Sequence, residues 1–278
     1  MLQVSPTPRL QSKADWRPEG EGEHDHNQVT DSAEPHLTLS ISVVIPTMNE
    51  ARNIGWVLER LDPIIDEVIV VDGLSTDDTI AIAQSVRPDV RIIEHRVPGK
   101  GEAVRAGLAA ATGDLVVMLD ADGSMDPAEI RLFVEALADG ADLVKGSRFM
   151  PGGGTTDMTF LRRIGNTALL TLTNGLLGTS YSELCYGYMG FRRSRLHELA
   201  LRRPGFEIET EIVVKAHRAG FQVVEIPSFE SPRRYGESNL NTFSDGWRIL
   251  RTLLSERLAE RAFEPQPAAS PADIDPSE

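Results

Sequence analysis

Short apolar runs alternate with amphipathic segments through the middle of the chain. The runs, bounded by turn residues, predict strands over Ile41–Pro46, Glu67–Asp72, Val90–Glu94, Leu115–Asp120 and Ala141–Lys145. Helical spacing predicts helices over Ala51–Leu61, Thr76–Val86, Gly101–Ala111 and Pro127–Ala138. Strands that alternate with helices of this length indicate βαβ units. The pattern therefore predicts an α/β fold with a mostly parallel sheet and helices on both faces.

The rhythm changes after Gly146. A glycine-rich loop is followed by an apolar helix over Phe160–Gly178, short strands and a final helix near Asp245–Ala262. The ends differ from both regions. Residues 1–38 are rich in Pro, Glu, His, Gln and Ser, and residues 263–278 carry repeated prolines. We expect a disordered leader over 1–38, one folded domain over 39–262 and a disordered tail over 263–278.

Composition narrows the classes of partner. The formal net charge of −14 argues against nucleic acid, because a phosphate backbone demands a basic face. The single cysteine, Cys185, excludes an internal disulfide framework and fits a reducing compartment. We see no secretory signal and no apolar run near the roughly 18 residues needed to span a bilayer. The expected location is cytoplasmic, with peripheral contact on the inner face of the cell membrane as an extension.

Two carboxylates follow the most apolar strand. Asp120 and Asp122 stand one residue apart where Leu115–Asp120 leaves the sheet, which is where open α/β sheets bind ligands. Hard divalent cations such as Mg²⁺ and Mn²⁺ take oxygen ligands, and Mg²⁺ is often shared with substrate phosphates. The pair therefore predicts a metal site. The alternative is an acidic strand end that simply forms a turn.

Two upstream segments add to this chemistry. Asp72 ends a strand one residue before a glycine and is placed to bind a ribose or a base edge, or else to form a turn. Lys100, in Pro98–Gly101, offers a cation before a helix N-terminus, which suits a diphosphate. The segment is not a Walker A loop, and no G-x-G-x-x-G opens the first βα turn.

Together these motifs resemble the ordered signature of the family 2 glycosyltransferases, which have the GT-A fold. The resemblance covers residues 41–150 and rests on Pro46–Glu50, Asp72 with Ser75–Thr79, Pro98–Gly101 and Asp120–Asp122. It implies that 39–150 is a donor-binding half and 151–262 an acceptor half. By resemblance, Pro46, Glu50 and Asp72 hold the nucleoside of a sugar nucleotide, Asp120 and Asp122 hold the metal on its diphosphate, and Ala121 lines the site.

Later blocks narrow the resemblance. Lys145–Phe149, Ser182–Tyr188 and Ser231–Leu240 resemble the polyprenyl-phosphate glycosyltransferases, the group that includes dolichol-phosphate mannose synthase. That likeness implies that Arg148 and Arg233 contact the donor diphosphate or the acceptor phosphate, with Ser238 on the acceptor side. Two positions depart from the group's pattern. Asn239 stands where a lysine is usual, and Glu183 stands where an aspartate is usual.

Two further segments allow more than one interpretation. The helix over Phe160–Gly178 has a basic edge and an apolar face, so it either lies at a membrane surface or packs on protein. Phe206–Glu211 is either extended, with its carboxylates on one side, or the start of a helix. We expect a solvated acidic cluster there, with Glu209 and Glu211 as acceptor-side candidates.

The predicted activity is metal-dependent transfer of a sugar from a UDP- or GDP-linked donor to a polyprenyl-phosphate-type lipid, and the family resemblance implies that the transfer inverts the anomeric centre. Asp122 and Arg148 are the predicted catalytic residues, and Mg²⁺ or Mn²⁺ is the cofactor. A lipid phosphate needs no general base, whereas a hydroxyl acceptor would need one, with Glu209 or Glu211 as candidates. Three alternatives are a glycosyltransferase for hydroxyl acceptors, a sugar nucleotidyltransferase and a non-catalytic sugar-nucleotide-binding protein. A second copy of the chain and an integral-membrane protein are candidate partners.

Overall fold

The computed structural model describes residues 39–236 and 242–262 of the 278-residue chain. The strands are β1 Ile41–Thr47, β2 Glu67–Asp72, β3 Arg91–Glu94, β4 Leu115–Met118, β5 Leu143–Ser147, β6 Gly154–Thr155, β7 Met189–Arg192, β8 Val223–Pro227 and β9 Phe229–Glu230. The helices are α1 Ile54–Glu59, α2 Thr79–Val86, α3 Lys100–Ala110, α4 Ile130–Ala138, α5 Phe160–Leu177, α6 Ile208–Arg218 and α7 Thr242–Ala262. The expectations for 1–38, 263–278, Ser238 and Asn239 lie outside the described residues.

Seven strands form the central sheet in the order β3-β2-β1-β4-β7-β5-β8. All neighbouring pairs are parallel except those of β7, which runs antiparallel to both β4 and β5. The short strands β6 and β9 pair in parallel in a separate two-stranded sheet. The predicted α/β architecture with a mostly parallel sheet is confirmed, and β7 is the strand that the alternating pattern did not anticipate.

Apolar layers cover both faces of the sheet. Strand β1 shows how the sequence builds them, since successive side chains point to opposite faces. Val43 and Ile45 pack with α1, α2 and α4, whereas Val44 packs with α3, α6 and α7. A strand buried on both faces is apolar at most of its positions, which explains the nearly continuous apolar runs.

Local hydrogen bonds set the element ends. Helix α2 begins at Thr79 rather than Thr76, because the Asp77 carboxylate accepts hydrogen bonds from the backbone N–H and the hydroxyl of Thr79 and ties 77–79 into a turn. Strand β4 ends at Met118, two residues earlier than expected, so Asp120 follows the strand. Before α4, Asp126 caps a short 3₁₀ segment, Pro127–Glu129, by accepting a hydrogen bond from the Ala128 N–H at 3.0 Å.

Helix α5 exposes much of its apolar surface. Phe160, Leu161 and Ile164 are each more than half exposed, whereas Asn166 and Thr173 are buried. The Asn166 amide donates a hydrogen bond to the Glu183 carboxylate at 3.2 Å, which explains its burial. Of the described helices, none combines the length and apolar character needed to cross a membrane.

Candidate functional site

The carboxyl ends of β1, β2 and β4 lie side by side at one edge of the sheet, which we call the carboxyl edge. In the strand register Thr47 pairs with Asp72, and Val44 pairs with Met118. Asp120 and Asp122 follow β4 directly. The topology therefore brings the acidic ends of β2 and β4 to the same edge, as the sheet rule predicts.

Lys100 joins Asp120 to the amino end of α6. Its Nζ lies 2.8 Å from Asp120 Oδ1 and 2.8 Å from Glu209 Oε1. Lys100 comes from the first turn of α3, and Glu209 comes from the first turn of α6. Three separate segments thus converge on one cation, and all three side chains were predicted as site residues.

Burial and charge act against each other in this cluster. Burial lowers the pKa of Lys100, but the carboxylates of Asp120 and Glu209 outweigh it, so that pKa lies above its ordinary value. Lys100 therefore stays protonated at neutral pH. Burial raises the pKa of Glu209, with Lys100 opposing the rise and Asp120 adding to it. A raised pKa suits Glu209 to take up a proton.

Arg233 joins Asp122 to Glu50 in a second cluster. One guanidinium nitrogen of Arg233 lies 2.8 Å from Glu50 Oε1, and its Nε lies 3.4 Å from Asp122 Oδ2. Burial raises the pKa of Glu50 above its ordinary value, although hydrogen bonding to Asn53 and the charge of Arg233 oppose this. Both carboxylates of the predicted metal pair therefore have a cation beside them, Lys100 for one and Arg233 for the other.

Arg233 belongs to a segment, residues 231–236, that we call the strap. The Ser231 N–H donates to the Ser124 carbonyl at 2.9 Å, and the Arg234 N–H donates to the Asp122 carbonyl at 3.2 Å. These bonds fix the strap against the turn that follows β4. They also account for the position of Arg233 over the carboxyl edge.

The predicted nucleoside-binding residues lie along the same edge. Asp72 is buried, and its two oxygens accept hydrogen bonds from the Ser75 N–H at 2.8 Å and the Ser75 hydroxyl at 2.5 Å. Asp72 therefore forms the local turn that we considered as the alternative, with acceptor capacity left on each oxygen. Pro46 is half-buried in β1, and Ala121 is buried in the apolar layer that contains α1.

Arg148 occupies a separate buried cluster. Its Nε donates to Glu183 at 2.8 Å, one terminal nitrogen donates to both Glu230 oxygens at 3.0 and 3.1 Å, and the other donates to the Cys185 carbonyl at 2.9 Å. Burial lowers the pKa of Arg148, but the carboxylates of Glu183 and Glu230 outweigh this effect, so that pKa lies above its ordinary value. The group therefore stays charged. Among the described residues we find no hydrogen bond or ion pair from Arg148 to Asp120 or Asp122.

The acidic segment before α6 corrects one expectation. Helix α6 begins at Ile208, and Glu207, Glu209 and Glu211 are all at least nine-tenths buried, so the cluster is not solvated. Glu211 does not reach the carboxyl edge. Its oxygens accept the backbone N–H groups of Arg202 and Arg203, and one of them lies 2.8 Å from Lys215 Nζ. Of the two candidate bases, the structure brings only Glu209 to the site.

Several residues at the site escaped the sequence prediction. Asn53 donates to the Glu50 carboxylate at 2.5 Å, and the Ser124 N–H donates to Asp122 Oδ1 at 2.9 Å. Glu230 pairs with Arg148 from β9, more than eighty positions away in sequence. Short-range signals exist for Asn53 and Ser124, because each lies within three residues of its partner. No local signal points to Glu230.

The donor set suits a hard divalent cation. Asp120 and Asp122 supply carboxylate oxygens at one strand end, and among the described residues no group of three or more His, Cys, Asp or Glu side chains is arranged to hold a metal by itself. Two carboxylates with further ligands from substrate phosphates is the usual arrangement for Mg²⁺. The residues present therefore fit a metal that is completed by a diphosphate.

The parallel sheet, the carboxylate pair at its carboxyl edge and the flanking cations define a glycosyltransferase of the GT-A fold. The family model described as Glycosyl transferase family 2 matches residues 42–200, more than half of the chain. The chain belongs to glycosyl transferase family 2. This assignment favours sugar transfer over the nucleotidyltransferase and non-catalytic alternatives.

Relatives and solved structures agree with this assignment. Dolichyl-phosphate hexose transferase of Haloferax volcanii is 32% identical over 224 residues, covering 80% of this chain and 95% of that protein. Polyprenol monophosphomannose synthase of Mycolicibacterium smegmatis is 31% identical over 233 residues, covering 79% of this chain and 88% of that protein. Glucosyl-3-phosphoglycerate synthase of Mycobacterium tuberculosis, solved with Mn²⁺, UDP and glucosyl-3-phosphoglycerate, superposes with a TM-score of 0.64 at 29% identity, covering 79% of this chain and 80% of that one.

Proposed function

We propose that this protein transfers a sugar, with inversion, from a nucleoside-diphosphate sugar to a polyprenyl-phosphate-type lipid. The observation that carries the proposal is the convergence of Asp120, Asp122, Lys100 and Arg233 at the carboxyl edge. Two carboxylates there are placed to share a cation with a diphosphate, and two basic side chains lie within 3.5 Å of them. The names of the relatives in Haloferax and Mycolicibacterium support the class of acceptor.

The leaving group explains why the site combines both signs of charge. As the nucleoside diphosphate departs from the anomeric carbon, its oxygens gain negative charge. Mg²⁺ or Mn²⁺ on Asp120 and Asp122 would supply Lewis-acid stabilisation of that charge. Lys100 and Arg233 would bind the same oxygens as fixed cations in a site where water is partly excluded. Direct phosphate contact by Arg148 stays a prediction, since its nitrogens face Glu183, Glu230 and a carbonyl.

The acceptor determines whether a base is needed. A lipid phosphate is already an anion at neutral pH and attacks without losing a proton. A hydroxyl acceptor is the second candidate, and the position of Glu209 favours it. This carboxyl lies at the carboxyl edge with its pKa raised by burial, as a general base requires. The solved complexes of glucosyl-3-phosphoglycerate synthase with phosphoglyceric acid support the same alternative.

Peripheral contact with the inner face of the cell membrane is part of the proposal. Phe160, Leu161 and Ile164 expose apolar surface on α5, and Arg162 and Arg163 flank them. An apolar helix face with a basic edge suits the boundary of an anionic bilayer. This arrangement would bring the enzyme to a lipid-linked acceptor.

A radiolabel transfer assay tests the function. UDP-glucose and GDP-mannose would each be incubated with Mg²⁺ or Mn²⁺ and membranes, with and without added polyprenyl phosphate. We expect label in the organic phase that increases with added polyprenyl phosphate and disappears in Asp122→Ala. Asp139→Ala, at an exposed aspartate after α4, serves as the matched control. Label that stays in the aqueous phase in every case supports the hydroxyl acceptor, and full transfer by Asp122→Ala contradicts the metal site.

A further inference from the structure

The strap is held on helix α1 by two stacked pairs. The guanidinium carbon of Arg234 lies 4.7 Å from the centre of the Trp56 ring. In the second pair the guanidinium carbon of Arg52 lies 4.0 Å from the centre of the Tyr235 ring. Asn53 adds a hydrogen bond, donating from its amide to the Tyr235 carbonyl at 3.1 Å. Three residues before and within α1 thus contact two successive residues of the strap, Arg234 and Tyr235.

Close backbone packing supports these anchors. Gly123 has a φ of +74°, and a Cβ atom at this position would lie 2.7 Å from Arg234 Cδ. Glycine tolerates the positive φ and leaves room for the arginine stem. The strap therefore rests directly on the turn that carries Asp122, and Trp56 borders the same glycine, with its Cε3 3.3 Å from a Cβ placed there.

Arg233 is the residue of the strap that reaches the carboxylates. It immediately precedes the anchored pair Arg234 and Tyr235, and it contacts Glu50 at 2.8 Å and Asp122 at 3.4 Å. A free arginine side chain carries about 2 kcal/mol of rotamer entropy, so a guanidinium held in place loses less on binding a ligand. The backbone hydrogen bonds of Ser231 and Arg234, which stand on either side of Arg233 in the sequence, reduce this loss further.

We propose that Trp56 and Arg52 are positioning residues that act through the strap to hold Arg233 ready for the donor diphosphate. Neither side chain touches the carboxylate pair in the described contacts, so their effect on binding passes through Arg233. The inference rests on the proposed function, because its readout is the binding of a nucleoside diphosphate. It extends the site to a helix face whose sequence carries no catalytic motif.

A double-mutant cycle tests the inference. Binding of UDP and of GDP, each with Mg²⁺, would be measured by calorimetry for the unsubstituted chain, Trp56→Ala, Arg233→Ala and the double variant. Because a cation–π pair that is not fully desolvated contributes roughly 0.5–1 kcal/mol, we expect about 2- to 5-fold weaker binding in Trp56→Ala. In the Arg233→Ala background the second substitution should weaken binding by less than about 1.5-fold. The same fold-loss in both backgrounds would overturn the proposal.

Matched variants separate positioning from general damage. Arg60 also stacks on Trp56, at 4.4 Å, but lies outside the strap, so Arg60→Ala should bind nucleotide as the unsubstituted chain does. Trp56→Phe should restore most of the affinity, since a smaller ring still stacks on Arg234. Arg52→Ala removes the second anchor without removing apolar volume from the core, and it should weaken binding in the same direction. Unchanged binding in both Arg52→Ala and Trp56→Ala would contradict the proposal.

Binding measurements distinguish a failure of the proposed function from a failure of the positioning role of Trp56 and Arg52. If the unsubstituted chain binds neither UDP nor GDP in the presence of Mg²⁺, the proposed donor chemistry is wrong, and the role of the anchors falls with it. If the unsubstituted chain binds one of them and the anchor variants bind it equally well, only the positioning role is wrong.

Discussion

Lys100 is the side chain whose removal tests the electrostatics of the site most directly. Lys100→Met keeps nearly the same side-chain length but leaves Asp120 and Glu209 facing each other without a cation between them. The side chains of these residues are 26% and 8% exposed, so water screens the repulsion only in part. Removing one partner from a buried ion pair costs about 3–5 kcal/mol of the free energy of unfolding. Because Asp120 is partly exposed, we expect a loss of about 3 kcal/mol at pH 7.

The loss should depend on pH and on divalent cations. Without Lys100, the main group that opposes the rise in the pKa of Glu209 caused by burial is gone, and Arg148 opposes it only weakly. A carboxyl with a folded pKa above its unfolded value contributes stability that is present at low pH and lost as the pH rises. The deficit should therefore shrink as the pH falls from 7 towards 5. A tenfold excess of Mg²⁺ over its Kd should return about 1.4 kcal/mol, because the cation replaces the missing charge.

Urea unfolding followed by circular dichroism measures these effects, at pH 7 and pH 5, with and without Mg²⁺. Lys215→Met is the matched control, because Lys215 pairs with the buried Glu211 at 2.8 Å away from the carboxyl edge. The control should also lose stability, but it should gain less from Mg²⁺ than Lys100→Met does, because its Asp120 keeps Lys100 beside it. A loss below about 1 kcal/mol in Lys100→Met, or equal Mg²⁺ effects in both variants, would refute the electrostatic account.

Three other predictions concern regions around the site. Arg148→Ala should lower the free energy of unfolding by about 3–5 kcal/mol, because Glu183 is fully buried and loses its cation; urea unfolding measures this, and a loss under about 1 kcal/mol would contradict it. Burial raises the pKa of Cys185 to about 12, so the native thiol should resist a disulfide reagent at pH 8, and rapid labelling would count against the raised pKa. The contribution of this thiol to stability should decline as the pH rises from about 9 towards 12. Ile164→Ser should reduce co-sedimentation with phosphatidylglycerol vesicles while UDP binding stays unchanged, and equal sedimentation would argue against membrane contact through α5.

Much of the first half of the fold is encoded locally. Strands buried on both faces require continuous apolar runs, and their ends carry the motif residues, so Asp72, Asp120 and Asp122 were placed correctly at one sheet edge from sequence. The α/β alternation also predicted that β1, β2 and β4 run parallel to one another. In this half, the hydrophobic period determines which segments form strands, and the position of a residue at a strand end determines the sheet edge at which it lies. Both can be read along the sequence.

The remainder depends on contacts between distant segments. Phe206–Glu211 reads as polar, yet Glu207, Glu209 and Glu211 are buried because Lys100 and two backbone N–H groups satisfy two of these carboxylates. The partners of Arg148 come from 35 and 82 positions further along the chain. Period and composition carry no information about such pairings, so the carboxylates that pair with Arg148 could not be identified from the sequence.

The reversed direction of β7 has a consequence for how this chain can diversify. Because β7 runs antiparallel to β4, its amino end lies at the edge where β4 stops, and the segment before it arrives beside Asp120. A Cβ atom on Gly187 would lie 2.9 Å from both Lys100 Nζ and Glu209 Oε1. The connection from α5 to β7 therefore ends at a fixed point of the carboxyl edge, beside Lys100 and Glu209. Insertions within it would reshape the surroundings of Lys100 and Asp120 while every strand of the sheet keeps its register.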